Sequence, residues 1–230
     1  MPSLITAALS RAQAFLLEPS LATERPPGPA VAPARTCQDV QVVVTATSRG
    51  SGATTVARAL AQALGVPGLR DSHLVLLRPD PVGGRRPAGV AAWEVPPALD
   101  DPDEIAEYGS TLARLARGSG SAAVVWDVRA DDVPRAARAI EACDAVVCVA
   151  GGGAEPALCS LVGDMLAERY GTRVVLVANR VRDDDGWTGH CAVAVPDSRL
   201  AAMVIGRGRA PGGPVGDALA RIAELVGEQT

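Results

Sequence analysis

Apolar positions along the chain fall into short continuous runs, and amphipathic stretches separate them. Runs at Val40–Ala46, His73–Arg78, Ala122–Asp127, Ala145–Ala150, Arg173–Asn179 and Cys191–Val195 predict buried strands. Helical periodicity predicts helices over Thr54–Leu64, Pro102–Arg117, Val133–Glu141, Glu155–Arg169, Ser198–Val204 and Val215–Val226. Strands apolar on both faces, alternating with helices, predict an α/β fold: a three-layer arrangement with a mostly parallel sheet covered by helices on both faces. The stretch "RPDPVGGRRPAGVAAWEVPP", from Arg78, reads as a long Pro/Gly loop.

The first residues follow a different pattern. Leu4, Ile5, Ala8, Leu9, Ala12, Phe15 and Leu16 form one apolar stripe, which predicts an amphipathic helix within residues 1–18. Residues 19–38 include "PSLATERPPGPAVAPAR" and read as a Pro/Ala-rich linker ahead of a domain spanning 39–230. Three readings of the helix stay open: packing back on the domain, binding a protein partner, or peripheral contact with a membrane surface.

Composition narrows the function classes. The chain is 48% hydrophobic but only 3% aromatic, so Ala, Val and Leu must build the core. A net charge of −4 gives no basic surface for nucleic acid, and no DNA partner is expected. All 22 basic residues are arginine, a bias that suggests a GC-rich genome. Such a bias turns lysine into arginine, not into alanine. Cys37, Cys143, Cys148, Cys159 and Cys191 form no CxxC pair and read as small buried apolar residues. His73 and His190, each at the start of an expected strand, read as structural. No apolar run is long enough to predict a membrane span, and a cytoplasmic protein is expected.

The candidate chemistry lies after the first strand, where "TSRGSGATT" leads into a helix. Successive backbone N–H groups of such a loop can cradle phosphate, and the helix N-terminus adds partial positive charge. Gly50 and Gly52 let the backbone approach the ligand closely. The candidate binding residues are Arg49, Gly50, Ser51, Gly52, Ala53, Thr54 and Thr55.

The segment "VTATSRGSGATTVA" resembles the deviant phosphate loop of the ParA/MinD family of P-loop ATPases, whose pattern is roughly xKGGxGKTT. Gly50, Gly52, Thr54 and Thr55 match it. The signature lysine falls on Ser48, one glycine on Arg49, and the phosphate-loop lysine on Ala53. The likeness extends in order through residues 39–227. "SAAVVWD" is similar to a Walker-B strand ending at Asp127, and "RVVLVANRV" to the strand whose terminal asparagine, here Asn179, helps read adenine. "VAVPDSRLAAMVIGRGRAPGGPVGDALARIAELV" is similar to the C-terminal segment. At the end of the second strand, "RPDP" puts Arg78 where the family carries a water-orienting aspartate, leaving Asp80.

This resemblance implies ATP and Mg²⁺ as ligands, with Thr54 and Asp127 on the metal side and Asn179 at the base. It implies a nucleotide-dependent homodimer and a protein partner that docks through the N-terminal helix or the switch face. Phosphoryl transfer depends on positive charge and positioning around the γ-phosphate, and the chain lacks both lysines and the water-orienting aspartate. Lysine-less loops of this kind are similar to the TadZ/CpaE branch, which localises or helps assemble Tad/Flp pilus machinery. The expectation is therefore a positioning or scaffold factor with weak or absent hydrolysis. The alternative is a slow genuine ATPase using Arg49 in place of the missing lysines.

Overall fold

A computed structural model of the chain describes residues 39–65, 70–78, 87–116, 121–182 and 186–227. All of these fall in one of the chain's two units, Cys37–Thr230. The expected N-terminal helix, the linker, Asp80 and Cys37 lie outside the described residues, as do the aspartates at 183–185.

Seven strands form one sheet: β1 (Val40–Ala46), β2 (Arg70–Leu76), β3 (Val90–Glu94), β4 (Ser121–Asp127), β5 (Ala145–Gly151), β6 (Val174–Val181) and β7 (Val193–Pro196). Their order is β3-β2-β4-β1-β5-β6-β7, and every neighbouring pair is parallel. The described helices are α1 (Ala53–Leu64), α2 (Pro102–Ala116), α3 (Ala137–Glu141), α4 (Pro156–Tyr170), α5 (Arg199–Gly206) and α6 (Gly213–Gly227). This is the α/β arrangement that the alternating runs predict.

Strand alternation sorts the core into two sides. Val42, Val44, Val125 and Val147 join α1, α5 and α6 through Leu60, Ile205, Leu219 and Ile222. Val43, Trp126 and Val146 point the other way, onto Ile105 and Leu112 of α2 and Ile140 of α3. On that same side Cys148 and Ala150 pack with Cys159 of α4 and Trp187. Parallel sheets need both faces covered, and the near-continuous Val/Ala runs satisfy that.

Three elements depart from the expectations. β3 lies inside the stretch read as a loop. It is an edge strand that pairs only with β2 and carries exposed Trp93 and Glu94, so it lacks a buried run. β2 starts at Arg70 rather than His73, because ladder pairing with Ser121 extends through its polar start. The helix expected over Val133–Glu141 is helical only from Ala137, as α3; residues 133–136 form a turn that continues a 3₁₀ turn at Ala130–Asp132. The intervening turn holds Pro134 and bonds such as Ala137 N–H to Pro134 O at 3.3 Å.

Neither histidine begins a strand. His73 lies within β2, and His190 lies in a turn before β7.

Candidate functional site

β1 and β5 are neighbours, yet the chain leaves them on opposite faces, through α1 and α4. Such a switch point opens a crevice beyond the carboxyl ends of the strands, where α/β sheets bind ligands. The loop of residues 47–52 follows β1 into this crevice.

Two glycines give the loop its shape. Gly50 has φ 79° and Gly52 has φ 91°, in the left-handed region that favours glycine. A Cβ on Gly52 would also stand 2.3 Å from Asn179 Nδ2. Gly52 O accepts from Val56 N–H at 3.1 Å and so begins α1, whose first turn contains no acidic residue. The positive end of the helix dipole is therefore not offset by the helix's own carboxylates. Among the described residues, the N–H groups of Arg49, Gly50 and Gly52 have no hydrogen-bond acceptor. Unpaired amides at a helix start are what an anion cradle consists of.

Neighbouring strands hold the loop through its backbone. Asn179 Nδ2 donates to Ser51 O at 2.8 Å, and the Arg180 guanidinium donates to Gly50 O. Thr47 N–H donates to Val149 O at 3.0 Å. Asn179 is buried at the end of β6, just before the register shift that sets Arg180 at φ 62°. Beside it, Gly152 N–H donates to Asn179 O at 2.7 Å, and Trp187 Nε1–H to Gly152 O at 2.9 Å. A Cβ at Gly152 would meet Arg180 O at 2.3 Å, so this contact requires glycine.

The opposite flank is ionic. Arg49 donates to Asp131 Oδ2 through Nε at 3.0 Å and Nη2 at 2.5 Å. Arg78 Nη2 lies 2.5 Å from Oδ1 of Asp132, whose side chain is 2% exposed. Two arginines, from the loops after β1 and β2, thus grip consecutive aspartates of the 3₁₀ turn after β4. Asp127 ends β4, buried, in register with Val44 of β1 and Leu76 of β2.

A cavity of about 720 Å³ opens beside the loop. Of the residues singled out from sequence, Gly52, Thr55 and Asn179 line it. Arg49, Gly50, Ser51, Ala53 and Thr54 belong to the adjoining loop and first helical turn, and Ala53 packs into the core beneath. Arg180, Arg182, Asp197 and Arg199 also line the cavity, and sequence reading gave them no role. Their signal was present in "VANRVR" and "PDSR", the two segments that meet there.

This fold matches solved structures. The Chlorobium tepidum ParA family ATPase aligns with a TM-score of 0.58 at 11% identity, over 81% of this chain and 99% of that one. The fold is that of the ParA/MinD ATPases. The MinC:MinD cell division protein complex of Aquifex aeolicus gives 0.58 at 14% identity, covering 83% and 97%. The septum site-determining protein MinD of Pyrococcus horikoshii, complexed with Mg-ADP, gives 0.56 at 16%, covering 82% and 96%. No family model and no curated protein matches the chain. No described helix of this ParA/MinD-like domain is long and apolar enough to cross a membrane.

Proposed function

We propose that the protein is a ParA/MinD-like positioning or scaffold factor that holds Mg-ATP at the crevice after β1 and cleaves it weakly or not at all. One observation carries this reading. Unpaired loop amides meet a nucleotide-sized cavity, while Arg49 and Arg78, on the loops after β1 and β2, are bound to carboxylates and the chain has no lysine.

In this reading the amides of Gly50–Thr55 hold phosphate and Asn179 faces the base. Thr54 Oγ1 and the Asp127 carboxylate would hold Mg²⁺, which would neutralise phosphate charge when bound. The donor set suits that ion. Magnesium takes few protein oxygens and keeps water and phosphate oxygens as its other ligands. Among the described residues no group of three His, Cys, Asp or Glu forms a cage for a different metal.

Efficient cleavage needs cationic charge on the γ-phosphate and a group to orient water. Arg78 stands at the water-orienting position and carries the wrong charge for it. Arg49 has its charge countered by Asp131, which weighs against a slow ATPase built on that residue. The MinC:MinD neighbour supports a protein partner for a domain of this shape, and the Mg-ADP neighbour supports the nucleotide. A pilus or secretion role of the TadZ/CpaE kind rests on the lysine-less loop alone.

Calorimetry with Mg-ATP, alongside steady-state turnover, tests the proposal. Saturable binding with phosphate release at background is the expected result. Turnover comparable to an ordinary ParA-type ATPase would overturn it.

A further inference from the structure

We infer that Arg180, rather than Arg49, supplies the positive charge that meets a ligand phosphate at this loop. The inference rests on reading the crevice as a nucleotide site.

Arg180 is singled out by its backbone. Among the described residues it is the only non-glycine with a positive φ, 62°. A side chain there is disfavoured and persists where the surroundings impose it. The register shift between Asn179 and Val181 imposes it here, together with Gly152 packed against Arg180 O. The result is a side chain turned from the carboxyl end of β6 back to the β1 loop, with its guanidinium on Gly50 O.

Pairing separates Arg180 from Arg49, Arg78 and Arg182, and reach separates it from Arg199, which lines the cavity but has no hydrogen bond to the loop among the described residues. Arg49 is paired with Asp131, Arg78 with Asp132, and Arg182 with Asp197 at 2.9 Å. Arg180 has no carboxylate within ion-pair distance among the described residues, and its guanidinium donates to a neutral carbonyl. It also lines the cavity beside Gly52 and Gly151–Gly153, which Arg49 does not. A guanidinium carries five N–H donors in a planar fork suited to phosphate oxygens, so one bond to Gly50 O leaves donors for a ligand. The charge missing at Ala53 is thus provided from β6, on the cavity side of the loop. A cation at that place can hold a phosphate without being placed to drive its transfer.

The test compares ATP and adenosine as probes, by calorimetry on the full chain at low and moderate salt. Glycine accepts the left-handed backbone, so Arg180→Gly removes the charge and keeps the bulge. It should weaken ATP binding about ten- to a hundredfold and leave adenosine binding unchanged. Arg180→Lys should recover part of the loss. Arg221→Ala, the same charge change on α6, should bind both probes as the parent does. Unchanged ATP affinity in Arg180→Gly overturns the inference and leaves the nucleotide reading intact. Equal loss of both probes assigns Arg180 a structural role and overturns it too. Loss of ATP affinity in Arg49→Ala alone reverses the assignment. Failure of the parent to bind either probe overturns both readings.

Discussion

Trp93 donates its Nε1–H to His73 Nδ1 at 3.1 Å across the β2–β3 pair, with the two rings stacked 6.4 Å apart. The acceptor nitrogen cannot carry a proton while that bond stands. Burial pushes the His73 pKa below its ordinary value, opposed by the nearby Asp71 carboxylate. A folded-state pKa below the unfolded one makes the unfolded chain the better proton binder. The contribution is therefore complete above the unfolded value of about 6.5 and is lost as pH falls through the folded one. Melting temperature should drop between about pH 7 and about pH 5, and His73→Phe should flatten that drop. Parallel curves for the two proteins would show that His73 does not cause it. The cysteines show how readable single residues can be. Burial raises the Cys143 thiol to about 11 and Cys148 to about 12, so both stay protonated apolar fillers, as their unpaired pattern suggests.

Glycines in helices separate packing from propensity at the scale of an element. On α2, a Cβ at Gly109 would stand 1.9 Å from Cζ2 of Trp126, a fully buried residue of β4. Gly109→Ala should destabilise by about 1–3 kcal/mol, because overpacking outweighs the better helix propensity of alanine. On α4, a Cβ at Gly163 meets only Val174 Cγ1, at 3.7 Å, an ordinary contact. Gly163→Ala should stabilise by about 0.5–1 kcal/mol. Urea melts of both variants check the pair, and a matching sign would refute the packing argument. Neither outcome is visible in the sequence, where both are glycines in a helical pattern. The elements themselves were legible wherever burial was two-sided. Val40–Ala46 and Ala145–Ala150 are dominated by apolar residues because helices cover both faces. β3 was illegible because its strand character comes from pairing at the sheet edge. Its residues Trp93 and Glu94 are exposed, and glycine precedes it. The turn at residues 133–136, before α3, was read as helix because its spacing is close to helical. Its distinction lies in hydrogen bonds that no residue pattern reveals.

For the molecule as a whole, the part of the candidate site legible in the sequence was the part contiguous in it. The glycines of the loop and Asn179 sit in short local patterns. The partners of Arg49, Arg78 and Arg180 do not, since they lie 82, 54 and 130 residues away. Their pairing exists only once the sheet order brings β4 and β6 to either side of the β1 loop. The same order makes the cavity a junction of distant segments. Gly52 and Val56 come from the start of the domain, Asn179 and Asp197 from its last third, and Leu219 from the final helix. A ligand seated there contacts elements that otherwise meet through the core, and must stabilise the fold as one unit. Ligand at about a hundred times its Kd contributes about 2.7 kcal/mol. For a chain of this size, that raises the melting temperature by about 5–10 °C. Mg-ATP should give a shift of that order that grows with concentration, and magnesium alone should give none. Because ionic partners already satisfy Arg49 and Arg78, the shift should persist over hours without decaying as ATP would be consumed. A shift that fades while phosphate accumulates would mean that the loop still cleaves what it holds.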